Sequence, residues 1–337
     1  MTIIERNTAA AILLLLLNSV DGFSTSRSVS LGRPATILAS TVEEAVAVVK
    51  PEVESKSWDD DGFIFGLDGS GLERPKGKVA QVVVEGDSLI TTNKQRAIVW
   101  STFLGHAGIL AFSFMQMQQG NQGMFGDFTA EATAVQAIMV TMLSWTLSDL
   151  GSGVLHWSVD NYGNGKTPVF GGIIAAFQGH HSAPWTIVER GFENNVIKLC
   201  VPFGIQTVLA MKLVFGLGPA ATLFWSVFCA TEILSQEFHK MSHATKSESG
   251  PIWNGLQDLG ITLDRKSHAQ HHIAPYDGNY CIVNGMCNNM LDESGFFRRF
   301  EHLVYKLNGV EANSWKLDAK LRERTLNGDY SLPRARN

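Results

Sequence analysis

Eight of the ten histidines in this 337-residue chain stand in four short groups. The groups are "LHW", "QGHH", "EFHKMSH" and "HAQHH", and together they contain His156, His180, His181, His239, His243, His268, His271 and His272. Neutral imidazole is a good ligand for iron, zinc, copper or nickel. Because one zinc ion takes only about four ligands, eight histidines predict a site for two metal ions with room for an oxygen species.

The spacing within the groups favours helices that present two ligands on one face. His239 and His243 are four residues apart, as are the outer histidines of "HAQHH", and such residues are neighbours on a helix. Asp149, His156 and Asp160 also fall on one helical stripe. The zinc-peptidase patterns HExxH and HxxEH, and the ExxH pairs of ferritin-type carboxylate sites, are absent from the sequence. The pattern therefore predicts a ligand set dominated by histidine.

Four apolar stretches are long enough to place these groups relative to a membrane. Each is near the length of about 20 residues that a spanning helix needs, and they cover 97–116, 132–157, 196–217 and 220–236. Charged residues make up only 18% of the chain, against about a quarter in soluble proteins. We therefore predict an all-α integral membrane protein with about four transmembrane helices, rather than a soluble helical bundle.

Two helical hairpins would bring all four histidine groups to one face of the membrane. The intervening loop 117–131 has no lysine or arginine, whereas six basic residues fall on the histidine side: Lys94, Arg96, Lys166, Arg190, Arg265 and Lys266. By the positive-inside tendency this side is stromal or cytosolic. The spans were placed without reference to the histidines, so their convergence independently predicts one metal centre on one membrane face.

The first 92 residues resemble targeting sequence followed by an irregular tail. A short apolar core and polar end indicate a signal peptide, and a Ser/Thr-rich segment that opens on Phe23 is typical of a transit peptide. A secreted protein with a linker is the alternative. The predicted division is 1–22 signal peptide, 23–50 plastid transit-like segment, 51–92 tail and 93–337 membrane domain. This predicts a multi-pass protein of a plastid membrane, such as the thylakoid.

Four long motifs resemble the Kua-type lipid desaturase family. They are "DLGSGVLHWSVDNYG", "AFQGHHSAPWTIVERGFENN", "SQEFHKMSHATKS" and "SHAQHHIAPYDGNYCIVNGMCNNMLDE", within a likeness that runs from about residue 95 to about 316. The plant chloroplast branch is the most similar, which implies an O2-dependent desaturase that makes a delta-3 trans double bond in palmitate on phosphatidylglycerol. The resemblance implies two iron ions as cofactors. It also carries the family's signature histidines onto all eight named above.

Further polar side chains could complete the centre. Ligating histidines usually donate their second N–H to a carboxylate or carbonyl, so we interpret Asp149 or Asp160 as the group that orients His156. A ninth ligand, direct or through water, could come from Asp149, Asp160, Asn194 or Asn195. Four basic residues on the same side could hold a lipid phosphate, or merely set topology: Lys166, Arg190, Arg265 and Lys266.

The remaining partners follow from the chemistry. Removing hydrogen from an unactivated CH2 lies beyond acid–base side chains and needs a redox cofactor. The sequence has no flavin or nicotinamide fingerprint and no b5-like extension, so we expect an external electron donor, with ferredoxin the natural candidate in a plastid. The net charge of −5 and the lack of a basic stripe exclude nucleic-acid binding of the usual kind.

Three other functions fit parts of the pattern. The same histidines could serve lipid hydroxylation, or vinyl-ether formation of the plasmanylethanolamine desaturase type. A membrane metal carrier or a bis-histidine haem protein belongs to another class. Those proteins would place histidines on facing helices inside the spans, whereas here the predicted positions are helix ends and loops. His106 stands alone in the first span, so we expect a packing or hydrogen-bonding role for it. His302 lies in the amphipathic stretch "RRFEHLVYKL", which we expect to rest on the membrane surface rather than to bind metal.

Overall fold

The computed structural model describes residues 87–120, 122–123, 126–127, 130–181 and 183–331. The predicted signal and transit segments, and all but the last residues of the predicted tail, lie outside these residues. The described chain is helical apart from loops and one small hairpin, in which β1 (Gln122–Gly123) pairs antiparallel with β2 (Gly126–Asp127). The all-α prediction is confirmed for this part of the chain.

The first two thirds of the described chain form the helices of the bundle. They are α1 (Asn93–Gly120), α2 (Ala130–Asn161), α3 (Gly171–His180), α4 (Phe192–Val196), α5 (Ile205–Phe215) and α6 (Pro219–His243), with 3-10 helices at Pro184–Glu189 and Ile197–Cys200. Helix α6 is central and packs against both α1 and α2. Large apolar side chains on the outer faces of α1 and α2, such as Leu104 and Ile138, are more than half exposed, as expected for a lipid-facing surface.

Among the residues that the structure describes, three segments are long and apolar enough to cross a membrane: Asn93–Gln119, Glu131–Asn161 and Phe192–Phe215. The fourth predicted span, 220–236, lies within α6. The apolar sequence of α6 is interrupted by acidic and amide residues, such as Glu232 and Gln236, whose side chains are buried against neighbouring segments. Composition therefore does not separate α6 from a buried core helix, and the number of spans stays a prediction.

The third predicted span differs from a continuous α-helix. It passes from α4 through a 3-10 helix and breaks at Pro202–Gly204 before α5 begins, because proline cannot donate a backbone hydrogen bond. Side chains satisfy the released carbonyls: Gln206 Nε2 donates to Cys200 O at 3.1 Å, and Thr207 Oγ1 donates to Pro202 O at 2.8 Å. Such compensation is what allows a break at membrane depth.

His106 joins three segments of the bundle. Its Nδ1 lies 3.0 Å from Ser226 Oγ on α6, and its Nε2 lies 3.1 Å from Phe203 O at the break in the third span. The ring is buried, and it is well placed to hold the broken segment against α1 and α6. The predicted packing and hydrogen-bonding role of His106 is confirmed.

The C-terminal third of the chain forms a cap over one end of the bundle. Its helices are α7 (Lys246–Asp258), α8 (Arg265–His271), α9 (Asn288–Glu293), α10 (Phe296–Asn308), α11 (Asn313–Leu317) and α12 (Ala319–Leu326). The buried carboxylate of Glu301 on α10 accepts hydrogen bonds from Trp157 at 3.1 Å and from Trp315 at 2.7 Å. Arg298 pairs with the same carboxylate at 2.6 Å. This network ties the cap to the end of α2.

Candidate metal centre

All eight histidines lie at one end of the bundle, beneath the cap. Six of them lie at the C-terminal ends of α2, α3 and α6 and on α8. The other two, His181 and His272, directly follow α3 and α8. Their donor atoms separate into two groups in which all ligand atoms lie within 4.8 Å of one another. The five-histidine group comprises His180, His239, His243, His268 and His272. The aspartate group comprises His156, His181, His271 and Asp160.

The Nε2 atoms of the five-histidine group converge on one point. His243 Nε2 lies 2.9 Å from that of His180, 3.2 Å from that of His239 and 2.8 Å from that of His268. The Nε2 atoms of His268 and His272 are 3.1 Å apart. A neutral ring nitrogen carries at most one proton, so three such contacts at His243 cannot all be hydrogen bonds. Nitrogens bound to one ion at about 2.1 Å lie about 3 Å apart at right angles, so the spacing fits a shared metal ion.

The aspartate group converges on one carboxylate oxygen. Asp160 Oδ2 lies 3.2 Å from His156 Nε2, 3.3 Å from His181 Nε2 and 3.4 Å from His271 Nε2. Within the described part of the chain, none of these four buried atoms has a hydrogen-bond partner. Buried polar atoms are rarely left in this state. Three imidazoles and one carboxylate are a donor set suited to a divalent cation.

Backbone carbonyls orient two rings of the aspartate group. His156 Nδ1 lies 2.9 Å from Tyr280 O, and His271 Nδ1 lies 2.9 Å from Gly278 O. A carbonyl can only accept, so each Nδ1 carries the proton and each Nε2 presents its lone pair toward Asp160. Such contacts are the usual means of fixing the tautomer of a metal-binding histidine.

Burial keeps the rings of the five-histidine group neutral. It lowers the pKa of each ring well below the ordinary value of about 6.5, and the neighbouring histidines lower it further. Burial also lowers the pKa of His271. Neutral imidazole is the form that binds metals, so these rings need release no proton before binding an ion at neutral pH.

The two candidate carboxylates occupy different places, and only Asp160 lies among the donor atoms, where a ninth ligand would be. Asp149 does not orient His156: its Oδ1 accepts the N–H groups of Asn284 and Gly285 at 3.0 and 2.9 Å. Its Oδ2 accepts the N–H of Cys287 at 2.9 Å, so it anchors the cap to α2. Asp160 faces the Nε2 atom of His156 rather than Nδ1, and so belongs with the donor atoms.

The asparagine alternatives also lie outside the two groups. Asn194 accepts from Arg190 at 2.7 Å and donates to Ser88 O at 2.9 Å. Asn195 donates to Gln236 O at 2.8 Å and to Glu237 Oε2 at 3.0 Å. Both side chains hold neighbouring segments together. His302, expected outside the centre, lies 2.8 Å from the hydroxyl of Tyr330.

The loop that supplies the two carbonyls was not predicted from the sequence. It follows "HAQHH" directly, and Tyr276 and Asn279 in it have φ angles of 61° and 53°, a left-handed conformation that asparagine tolerates better than most residues. The glycines and asparagines of "PYDGNYCIVNG" are the one available signal, since they indicate a tight irregular segment beside the histidines. They do not indicate which carbonyls point inward.

Known proteins match this region. The sequence model of the lipid desaturase domain matches residues 145–315, or 171 of the 337 residues. The chain is 47% identical over 171 residues to "Fatty acid desaturase 4, chloroplastic" of Arabidopsis thaliana, covering 51% of this chain and 52% of that protein. It is 42% identical over 183 residues to "Fatty acid desaturase 4-like 1, chloroplastic" of the same plant, covering 54% and 61%.

A mammalian protein is also similar. The chain is 34% identical over 174 residues to "Plasmanylethanolamine desaturase 1" of Mus musculus, covering 48% of this chain and 63% of that protein. The matched regions thus span about half to three-fifths of these relatives. No solved structure matches the chain. The predicted family resemblance is confirmed by the domain match, which includes every histidine of the two groups: this chain belongs to the lipid desaturase domain family.

Proposed function

We propose that this protein is a membrane lipid desaturase that uses O2, an external electron donor and two iron ions. The single observation that carries the proposal is the convergence of eight buried or half-buried histidines and Asp160 into two adjacent ligand groups. One ion is bound by the five-histidine group and the other by the aspartate group. One zinc ion takes about four ligands, so it would leave half of these donors unused.

A pair of iron ions supplies the O2-dependent oxidation that removes two hydrogens from an unactivated acyl chain, which acid–base side chains cannot do. The chain's own residues supply position and environment. Asp160 offsets part of the positive charge, and the carbonyls of Gly278 and Tyr280 hold two rings in the required tautomer. The cap buries the donor atoms and excludes bulk water, which limits unproductive side reactions.

The substrate in this proposal is palmitate esterified to phosphatidylglycerol, and the product is the delta-3 trans acid. The Arabidopsis relatives named as chloroplastic fatty acid desaturases support a plastid glycerolipid, as does the transit-like composition of 23–50. A head group held near the irons leaves only the first acyl carbons within reach, which favours a position close to the ester. The electron donor is ferredoxin, and the location is a plastid membrane, most simply the thylakoid.

Vinyl-ether formation on an ether lipid is the second candidate. The 34% identity to the mouse plasmanylethanolamine desaturase favours it, because the same donor set would serve either oxidation. Lipid hydroxylation is a third outcome of the same site. A metal or haem carrier is disfavoured, because the Nε2 atoms of three histidines face one carboxylate oxygen at the helix ends. A haem carrier would instead bind its iron between two histidines on facing helices.

Expression in a host that lacks delta-3 trans fatty acids tests the proposal. The mature form is co-expressed with a plastid-type ferredoxin, and each lipid class is analysed by mass spectrometry. We expect a new double bond near the carboxyl end, confined to phosphatidylglycerol. A vinyl ether, a hydroxylated chain or a mid-chain double bond in galactolipids would each overturn this substrate. Purified protein should contain about two irons and show no Soret band; a single zinc or a haem spectrum would contradict the di-iron assignment.

The multi-pass arrangement is tested by labelling. Tags inserted at residues 125 and 330 should react from opposite sides of sealed vesicles, because an odd number of spans separates them in the four-span arrangement. A tag within 51–86 of the mature protein serves as the reference for the histidine side. Reaction of both test tags from one side would contradict that arrangement.

A further inference from the structure

A groove connects the five-histidine group with a cluster of charged side chains. Its buried part is lined by His180 and His239, and its more exposed part by Asp87, Arg190 and Lys198. Between them the wall is largely apolar and includes Ile173, Ala176, Phe177, Ile187 and Leu199. The groove therefore pairs a surface suited to an acyl chain with a polar site at its other end.

The charged cluster lies where two candidate spans begin. The third candidate span starts at Phe192, two residues after Arg190, and the first starts at Asn93, six residues after Asp87. Trp100, which is half exposed, donates to Glu193 Oε1 at 3.0 Å beside them, and tryptophan is enriched at membrane interfaces. The cluster is thus at the level of lipid phosphates, on the end of the bundle that holds the histidines.

The cluster contains two cations and one anion. Arg190 Nη2 lies 2.7 Å and Lys198 Nζ 3.3 Å from the same oxygen, Asp87 Oδ2. Glu237 and Glu193 do not line the groove: Glu237 pairs with Lys240 at 2.6 Å, and Glu193 accepts a hydrogen bond from Trp100. Among the lysine, arginine and acidic side chains that line the groove, positive charge therefore exceeds negative charge by one unit.

Asp87 occupies this site as an anion. Burial would raise the pKa of its carboxyl, but the hydrogen bond from Arg190 and the charge of Lys198 outweigh burial and hold the pKa below its usual value. The backbone next to it is fixed on the same residues, since Ser88 O accepts from Arg190 at 3.3 Å and from Asn194 at 2.9 Å. At Gly191 a Cβ atom would come 2.5 Å from Thr91 Oγ1, so a larger residue there would displace the Thr91 hydroxyl.

We propose that Arg190 and Lys198 bind the phosphodiester of an anionic glycerophospholipid, and that Asp87 is an internal counter-ion which the lipid displaces. The acyl chain then follows the apolar wall toward His180 and His239. Arginine suits a phosphodiester because its planar fork bonds two oxygens at once. This inference rests on the proposed function, because it assigns the head-group site of that enzyme's substrate.

The proposal predicts that removing a cation of the cluster weakens phosphatidylglycerol binding, whereas removing the anion strengthens it. The full chain in phosphatidylcholine nanodiscs is titrated with dipalmitoyl-phosphatidylglycerol, and bound lipid is counted by native mass spectrometry. We expect Arg190→Gln and Lys198→Gln each to weaken binding by about ten-fold, the size of a lost charge-assisted hydrogen bond. Asp87→Asn should strengthen it several-fold by removing the competing anion. An ion pair with a purely structural role would give losses, or no change, for all three.

Controls separate charge from folding and from adventitious binding. Lys246→Gln removes an exposed charge near the histidine end but outside the groove, and should leave binding unchanged. If Arg190→Gln fails to fold, Arg190→Lys replaces it, and weaker phosphatidylglycerol binding with unchanged phosphatidylcholine binding supports the site. Displacement of the lipid by inorganic phosphate at equal concentration would overturn the lipid assignment.

The inference and the proposed function can fail separately. The protein could show the expected binding pattern and yet contain no iron and form no desaturated lipid. That result would support the anionic lipid site and contradict the proposed desaturase function. Normal iron content and desaturation, with the same preference for phosphatidylglycerol over phosphatidylcholine in Arg190→Gln and Asp87→Asn, would overturn the head-group site alone.

Discussion

The five-histidine group is built on helix turns, whereas the aspartate group depends on a loop. In the first group, His239 and His243 stand one turn apart on α6, and His268 and His272 stand one turn apart at α8. In the second, two of three rings are set by carbonyls of the irregular segment after α8. Regular helices position the first set of donors, two of which come from α8 of the cap and the residue that follows it, while the second set also requires the irregular segment after α8.

The donors differ in charge as well as in support. Five neutral imidazoles leave the full charge on a bound ion, whereas Asp160 offsets one unit in the other group. The two ions are therefore inequivalent, and changes in one group should be distinguishable from changes in the other. Variants in each group therefore test whether the two ions are bound independently.

Replacing His243 by alanine should have the largest effect. Its Nε2 contacts three other ligand nitrogens, so its loss removes the centre of the five-histidine group. We expect desaturation to fall by at least about 100-fold, since removing one ligand changes the coordination that the chemistry needs. Iron content, measured by elemental mass spectrometry, should drop from about two toward one per chain.

The matched control for this variant is His302→Ala, because His302 bonds to Tyr330 and belongs to neither group. It should keep both irons and most activity. Full activity in His243→Ala, or in His180→Ala or His271→Ala, would refute the assignment of these residues as ligands.

Two buried aspartates on α2 give the next largest contrast. Asp160→Asn keeps the size of the side chain but removes the charge that faces three rings, so iron should bind the aspartate group about 10- to 100-fold more weakly. Asp149→Asn instead places an NH2 group against one of the N–H groups that Asp149 accepts. It should cost about 1–3 kcal/mol of stability and keep the iron stoichiometry.

Iron titration and thermal unfolding of the two variants separate these outcomes. If Asp149→Asn lost iron as readily as Asp160→Asn while remaining folded, the cap anchor and the ligand group would not be separate functions. If Asp160→Asn kept normal iron affinity, the carboxylate would not be a donor.

Much of the helical fold was predictable, and the exceptions have physical causes. The stretches 97–116 and 132–157 lie within α1 and α2 because uncharged apolar runs of that length form helices in lipid. The break in the third span was not predicted, although Pro202 and Gly204 mark it, because its stability depends on side chains that bond the released carbonyls. Composition does not identify α6 as a membrane span, because a central helix can carry polar residues wherever neighbouring helices cover it.

The convergence of the histidines was predictable from topology, but their division into groups was not. The number of spans predicts which helix ends share one membrane face. Which rings share an ion depends on the rotation of each helix about its own axis, and the number of spans does not determine that rotation. Asp149 and Asp160 illustrate the limit, since both lie on the stripe of His156. Their roles differ only because residues 284–287 reach Asp149 with three N–H groups, a tertiary contact that no local pattern encodes.

The smallest predicted effect tests the dependence on the loop. Gly153 lies on α2, one turn before His156, and a Cβ atom there would meet Cys281 Sγ at 2.5 Å and Cys281 N at 3.3 Å. That backbone is also held by Asn288, which accepts the Cys281 N–H at 2.8 Å. Gly153→Ala should therefore displace the adjoining Tyr280 carbonyl and weaken iron binding at the aspartate group by several-fold. The five-histidine group should keep its ion.

Gly172→Ala is the matched control, because a Cβ atom at that exposed position on α3 meets nothing within 4 Å. Alanine is the better helix former by up to about 1 kcal/mol, so this variant should keep both irons and unfold no more easily than the parent. Stepwise iron titration of the two variants measures the affinity of each group for its ion separately. If Gly153→Ala weakened both ions equally, the two groups would respond as one unit, and the contrast between helix-built and loop-built ligands would not hold.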